Sequence, residues 1–354
     1  MSRGSSTPSS TQLRKTPDPA NSSSVSEGEF AIIREIFAPL AANASGAFAL
    51  TDDAAIVSGG DHVVTADMMV AGVHFRKSDP LDLVARKLLR VNLSDLAAKG
   101  AKPSGYILTC AWPRSAKRAD IALFAEGLAA DQETYRIALF GGDTTRHAAA
   151  DAPLTVSATF FGAAPRQGMV RRAGATAGDD VYVSGTIGDA RLGLEALEKR
   201  VKFSPADRTY FAGRYHLPEP RVTLGGALSG FASAAIDVSD GLVADAGHIA
   251  ETSGCAISIN AAAIPLSEQA KRWLEKQEDR AIALAFLATG GDDYEILFTA
   301  SPRARRAIEM ASTVSKTPVA RIGSVGKGSG VTFLGPDGET IELAAGGFDH
   351  FMQG

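Results

Sequence analysis

The sequence predicts a mixed α/β (α+β) chain of two domains, and three observations carry that prediction. Short runs rich in Val, Ile, Thr and Phe alternate with longer stretches whose apolar residues recur at three- and four-residue spacing. The length of 354 residues suits two domains of about 100–200 residues each. The alternation is interrupted near Ala163–Gly168, where Pro165 and Gly168 break both patterns. The resulting division is an extension over 1–26, a first domain over 27–165 and a second over 166–354.

Residues 1–26 are rich in Ser, Thr, Pro and Asn and carry too little apolar surface to offset the entropy of ordering them, so they read as a disordered extension. Phe30, Ile33, Phe37 and Leu40 then mark a first helix. Strands are expected at Ala54–Val57, His62–Ala66, Gly105–Ala111, Ile137–Phe140 and Leu154–Phe161, and later at Asp180–Ser184, Ala234–Val238, Tyr294–Thr299, Val319–Ser324 and Val331–Leu334. Helices are expected at Leu81–Lys99, Arg118–Glu133, Ala190–Lys199, Val243–Thr252 and Arg303–Thr313. Asp79 suits the cap of the Leu81 helix, Pro80 its first turn and Gly100 its end.

Hydrophobic residues make up 45% of the chain and charged residues 21%, an ordinary balance for a soluble globular enzyme. The formal net charge of −4 provides no global field favouring nucleic acid or an anionic membrane. Any phosphate binding must then rest on local cations or metal ions. Cys110 and Cys255 both lie in apolar stretches and read as buried thiols of a reducing compartment. No run approaches the ~18 apolar residues of a membrane span, and the N-terminus lacks an apolar signal core. The expected location is the cytoplasm.

Chemistry concentrates in aspartates. On the Leu81–Lys99 helix, Val84, Ala85, Leu88, Val91 and Leu96 form the apolar face, and Asn92 and Asp95 fall within it, whereas Arg86, Lys87, Arg90 and Ser94 point away. An ionised Asp on a buried face needs a cation or several donors. Asp67 follows one expected strand, Asp143 follows another through Gly141-Gly142, Asp237 lies in a third, and Asp52-Asp53 precede a fourth. Singly, each suits a turn or cap. With Asp95 they favour a metal–phosphate site, because Mg²⁺ takes carboxylate oxygens together with substrate phosphates. Ser239 or Asp240 can cap the helix after Asp237, leaving its first N–H groups for a phosphate. The P-loop, the protein-kinase motif set, zinc-ligand spacing and the Gly-x-Ser-x-Gly elbow are all missing.

The ordered motifs resemble the thiamine-monophosphate kinases, within the wider aminoimidazole-ribonucleotide-synthetase-like ATP enzymes. The matching stretches include Asp52-Asp53-Ala54-Ala55, Thr65-Ala66-Asp67, Gly72-Val73-His74-Phe75, the Asn92–Pro103 run and Gly141-Gly142-Asp143-Thr144-Thr145-Arg146. Arg172-Ala173-Gly174, Pro218-Glu219-Pro220-Arg221, Ile236–Leu242, Gly290-Gly291-Asp292-Asp293-Tyr294-Glu295 and Gly347-Phe348-Asp349 follow in family order. The resemblance implies transfer of the ATP γ-phosphoryl group to thiamine monophosphate, and a homodimer paired through its N-terminal sheets. It implies several Mg²⁺ ions held by Asp53, Thr65, Ala66 (through its backbone), Asp67, Asp95, Asp143, Asp237 and Asp240. It implies nucleotide contacts from Gly142, Asp143, Arg172 and Ser239, and contacts to the thiamine-bearing substrate from His74, Asp292 and Phe348. The residues alone favour packing beside Phe75 for His74 and a turn cap for Asp292.

The chain departs from the family pattern at three places. Ala49-Leu50-Thr51 replace the glycines before the Asp pair, Asp292 replaces a Glu, and Phe348 replaces an often larger aromatic. A selenophosphate synthetase would need a reactive Cys near the start, whereas the first here is Cys110. A hydrogenase-maturation enzyme would need a C-terminal Cys, whereas this chain ends Phe351-Met352-Gln353-Gly354. An aminoimidazole-ribonucleotide synthetase or a nucleotide-binding regulator without turnover are the remaining alternatives.

Overall fold

A computed structural model describes residues 1, 29–57, 61–149, 151–335 and 337–341. The 1–26 extension, apart from residue 1, and Phe348 lie outside the described residues.

The expected first helix is broken. Helix α1 (Glu29–Ile32) passes into a π-helical turn at Ile33–Phe37 and a 3-10 turn at Ala38–Ala41. Pro39 supplies no N–H in this stretch, which limits helix continuation. Phe37 and Leu40 remain exposed rather than forming a buried stripe.

The first sheet contains β1 (Ala55–Val57), β2 (His62–Val70), β3 (Lys102–Trp112), β4 (Ala138–Arg146) and β5 (Thr155–Ala163), in the order β1-β2-β5-β3-β4. Only the β3–β4 pair is parallel. Helices α2 (Leu81–Ala98) and α3 (Arg118–Tyr135) complete this half. Side chains alternate across the pleat: Val156, Ala158 and Phe160 are buried on one face, while Ile107 and Thr109 sit exposed on the other.

The second half holds α4 (Asp189–Leu197), α5 (Pro205–His216), α6 (Val222–Leu228), α7 (Leu242–Ser253), α8 (Glu268–Leu274), α9 (Arg280–Ala288) and α10 (Arg305–Ser315). They surround β6 (Asp180–Ser184), β7 (Ala234–Asp237), β8 (Ala256–Asn260), β9 (Ile296–Ala300), β10 (Val319–Gly326) and β11 (Gly330–Leu334). This sheet runs β11-β8-β10-β6-β9-β7. Cys110 and Cys255 are buried and unbridged.

Helix α2 joins the two halves. It packs on α3, β2 and β5 on one side and on α6, β7 and β9 on the other. Lys87, Arg90 and Ser94, expected to point away from the core, are therefore buried. The amphipathic reading assumed one apolar partner, whereas α2 has two. Its close approach to α6 requires Gly225, where an added Cβ would stand 1.9 Å from the Ala97 carbonyl oxygen. Arg90 clamps the Asp131 carboxylate at 2.6 and 3.0 Å and donates to the Pro218 carbonyl at 2.9 Å, so its charge is paired. Asp79 does not cap α2: its carboxylate accepts from the Arg76 N–H at 2.8 Å and lies 3.0 Å from His216 Nε2.

Candidate active site

Strand β2 extends beyond its expected end, so Asp67 sits inside the strand rather than after it. Alternation places Thr65 and Asp67 on the side facing α2, where Asp95 emerges. The Thr65 hydroxyl lies 2.5 Å from Asp95 Oδ2 and 3.0 Å from the Asp53 carbonyl oxygen. Asn92 accepts the Asp67 N–H at 3.1 Å and donates to the Leu88 carbonyl at 2.9 Å, which fixes strand against helix. Asp237 closes the group from the end of β7. Carboxylate oxygens of Asp53, Asp95 and Asp237 all lie within 4.8 Å of one another.

These groups share one wall of a cavity of about 1270 Å³ between the two halves. Burial and the charge of Asp53 push the Asp67 carboxyl up to about 6. The same two causes push Asp237 up to about 7. Burial, followed by the charges of Asp67, Asp237 and Asp53, holds Asp95 well above the usual carboxylate range. Asp53 behaves oppositely: burial raises it, but Arg172 and Lys99 outweigh burial and lower it to about 2. Arg172 Nε donates to Asp53 Oδ1 at 2.6 Å, and its backbone N–H donates to Asp52 Oδ2 at 3.0 Å. The Lys99 ammonium, fully buried, reaches Asp52 at 2.7 Å, Asp53, and the Ala235 carbonyl at 2.9 Å. Lys99 and Arg172, with Arg171 at 3.7 Å from Asp52, thus neutralise the Asp52–Asp53 end, while Asp67, Asp95 and Asp237 lack equivalent positive charge. An oxygen-only donor set short of positive charge fits a hard divalent cation.

Around α7 the expected cap is replaced. Gly241 is the N-cap residue, and the Asp245 carboxylate accepts the Asp240 and Gly241 N–H groups, each at 3.2 Å. Ser239 and Asp240 line the cavity instead of capping the helix. Asp240, Asp245 and His248 form a second close group. Asp245 had a sequence signal, its place one turn into a helix after Asp240-Gly241, but that position reads as an ordinary first-turn acid.

His74 and Asp292 line the same cavity. His74 Nδ1 accepts the Val70 N–H at 3.0 Å, so the neutral ring carries its proton on Nε2. The Gly290–Glu295 loop is pinned on both sides of Asp292. Asp293 is buried and accepts the Gly188 N–H at 2.8 Å. Glu295, fully buried, accepts from Arg221 at 2.5 and 2.7 Å, Ser184 at 2.6 Å and Arg214 at 3.1 Å. The Asp292 N–H donates to the Ser239 carbonyl at 2.8 Å, and a Cβ on Gly291 would stand 2.3 Å from that same oxygen. Asp292 and Tyr294 adopt left-handed φ values of 72° and 50°, a conformation held by these surrounding bonds. Asp292 therefore faces the cavity rather than capping a strand.

The structure brings Asp53, Thr65, Ala66, Asp67, Asp95, Arg172, Asp237, Ser239, Asp240, His74 and Asp292 onto this one cavity. Gly142 and Asp143 are not among its lining residues. Asp143 aligns across the sheet with Thr109, Ser157 and Met68, on the face opposite Asp67. Three strand spacings, about 14 Å, separate it from β2. Sequence reading missed Lys87 and Lys99 because lysine on a helix ordinarily marks its solvated side.

Fold and site together define a two-sheet protein with an acidic cleft between its halves, and residues 51–164 match the AIR synthase related protein, N-terminal domain. The chain is 46% identical over 307 residues to the thiamine-monophosphate kinase of Caulobacter vibrioides, covering 86% of each chain. It is 38% identical to that of Escherichia coli K12, covering 81% of this chain and 86% of the relative. Among solved structures, AaThiL complexed with AMPPCP and TMP superposes with a TM-score of 0.78 at 30% identity, over 91% of this chain and 97% of that one. The chain belongs to the thiamine-monophosphate kinase family.

Proposed function

We propose that the protein transfers the γ-phosphoryl group of ATP to the phosphate of thiamine monophosphate, giving thiamine diphosphate and ADP. The aspartate cluster, in a cavity that His74 and Asp292 also line, carries this reading. A phosphate monoester oxygen would attack the γ-phosphorus as its bond to the bridging oxygen of ADP breaks. With a second pKa of about 6, that acceptor is mostly ionised at neutral pH and needs no general base. Alignment and charge neutralisation then carry the catalysis.

Asp53, Asp67, Asp95, Asp237 and Asp240, with Thr65 and the Ala66 backbone, would hold Mg²⁺. Mg²⁺ bound there would offset the repulsion between two polyanions. Arg172 and Ser239 suit the nucleotide, with the Arg172 guanidinium shared between Asp53 and a phosphate. His74 and Asp292 would hold the thiamine-bearing acceptor, with Asp292 offsetting the positive thiazolium charge. Phe348 is proposed for the same substrate on the strength of the family pattern.

We further propose a homodimer paired through the first sheet. Its support is the exposure of β4 along its whole length and the apolar Ile107, Leu139 and Phe140 on its surface. A second copy seated there would cover Gly142 and Asp143. We assign the chain to the cytoplasm and divide it into domains over 27–165 and 166–354; among the described residues no helix is long and apolar enough to cross a membrane. ADP release that requires both Mg²⁺ and thiamine monophosphate tests the reaction, and release indifferent to thiamine monophosphate would contradict it.

A further inference from the structure

Lys87 is buried on α2, with its side chain 3% exposed, yet it lines the cavity two helical turns, about 12 Å, before Asp95. It lies 3.0 Å from Asp292 Oδ1, donates to the His74 carbonyl at 3.3 Å, and sits 4.0 Å from the centroid of the Tyr215 ring. An ammonium has three N–H groups. Here a carboxylate, a carbonyl and an aromatic face receive them, so Lys87 keeps no donor for a ligand. Its three partners come from three separate places: the turn after β2, the loop before β9, and α5.

We infer that Lys87 is a positioning residue for the acceptor site, setting the Asp292 carboxylate and the His74 turn in the arrangement that receives thiamine monophosphate. The inference rests on the reading of the cavity as a thiamine-monophosphate site and adds a residue to it. Three features call for such an anchor. Asp292 sits in a left-handed backbone conformation, its side chain is shorter than the family's Glu, and that side chain, 29% exposed, lines the cavity. Lys87 holds the Oδ1 oxygen of that carboxylate. It also ties the two halves of the molecule at this end, as Lys99 does at the aspartate end through Asp52 and Ala235. The aliphatic stem of Lys87 packs within α2's buried surroundings, so removing only the charge leaves most of the packing.

The test uses Lys87→Met and Lys87→Gln, with Asp292→Asn alone and combined with Lys87→Met, after the wild type has been shown to phosphorylate thiamine monophosphate. A wild type without that activity would defeat the functional reading before Lys87 is tested. Loss of a charge-assisted anchor predicts a KM for thiamine monophosphate raised roughly tenfold or more, with the KM for ATP within about twofold of wild type. In the Asp292→Asn background, Lys87→Met should add little, because the two act as one unit. A structural role alone would lower the melting temperature and leave both KM values in place. Unchanged KM for thiamine monophosphate, equal rises in both KM values, or full multiplication of the two effects in the double variant would overturn the inference. Should Lys87→Met fail to fold, Lys87→Gln carries the same comparison with a neutral hydrogen-bonding side chain.

Discussion

Replacing Asp237 with Asn tests whether the aspartate cluster is built to receive cations. Asp237 is 4% exposed, and burial together with the Asp53 charge holds its carboxyl at about 7, against 3.8 unperturbed. The cation-free fold therefore binds this proton more tightly than the unfolded chain does. The group supports that fold fully below about pH 4, and its contribution is lost as the pH rises toward 7. At about 1.4 kcal/mol per tenfold change in proton affinity, ionised Asp237 destabilises the cation-free protein by about 4 kcal/mol near pH 8. Asn keeps the size and removes the charge. Without divalent ions at pH 8, Asp237→Asn should melt on the order of 5–10 °C above wild type, with the gap closing toward pH 4. Added Mg²⁺ should raise the wild-type melting temperature well above that of the variant, whose turnover falls roughly a hundredfold or more. Differential scanning fluorimetry across pH, with and without Mg²⁺, reads all of this. A variant that melts at or below wild type without Mg²⁺, or that gains the same stabilisation from Mg²⁺, would mean that the cluster does not receive the cation through Asp237.

Asp292→Ala should raise the KM for thiamine monophosphate far more than that for ATP, with the turnover number less affected; steady-state kinetics with each substrate varied would show otherwise if both constants stayed put while stability fell. Glu295→Gln removes the buried carboxylate that Arg214 and Arg221 share, leaving Arg221 with Glu219 at 2.7 Å and Arg214 with Glu219 at 3.8 Å and Asp189 at 4.0 Å, and should lower stability by about 2–3 kcal/mol in chemical denaturation. A loss under about 1 kcal/mol would mean that Glu219 and Asp189 hold the two arginines without Glu295. Phe140→Asp places a charge on the exposed apolar strand β4, and light scattering should show one chain per particle where wild type shows two. A folded variant that stays dimeric would remove this face from the pairing.

Much of the fold was legible because its signals are local. The β2, β3 and β5 runs alternate in burial as their sequences alternate, and α3 follows its apolar spacing. Elements that depend on tertiary context were not read. Helix α9 is apolar nearly all round, so it offers no stripe. Helix α5 commits only Phe211 and Tyr215 to the core among mostly polar neighbours. Strand β8 offers only Ile257 and Ile259 as large apolar residues, and the small and polar residues around them mask the alternation. At the site, the aspartates were legible because an acid inside an apolar stretch demands an explanation. Lys87 and Lys99 were not, because their function arises only when α2 is wedged between two halves. Asp245 was hidden for a related reason: its carboxylate serves backbone N–H groups four and five residues earlier, a role visible only once the turn is folded.

The cavity is proposed to align two phosphates for direct transfer. The most direct measurement incubates the protein with Mg²⁺, thiamine monophosphate and ATP labelled in its γ-phosphorus, and follows the label by chromatography. Direct transfer gives one labelled thiamine diphosphate for each ADP formed, with the label in its terminal phosphate and none released as free phosphate. Label appearing chiefly as inorganic phosphate, or thiamine monophosphate returning unchanged while ATP is consumed, would contradict it.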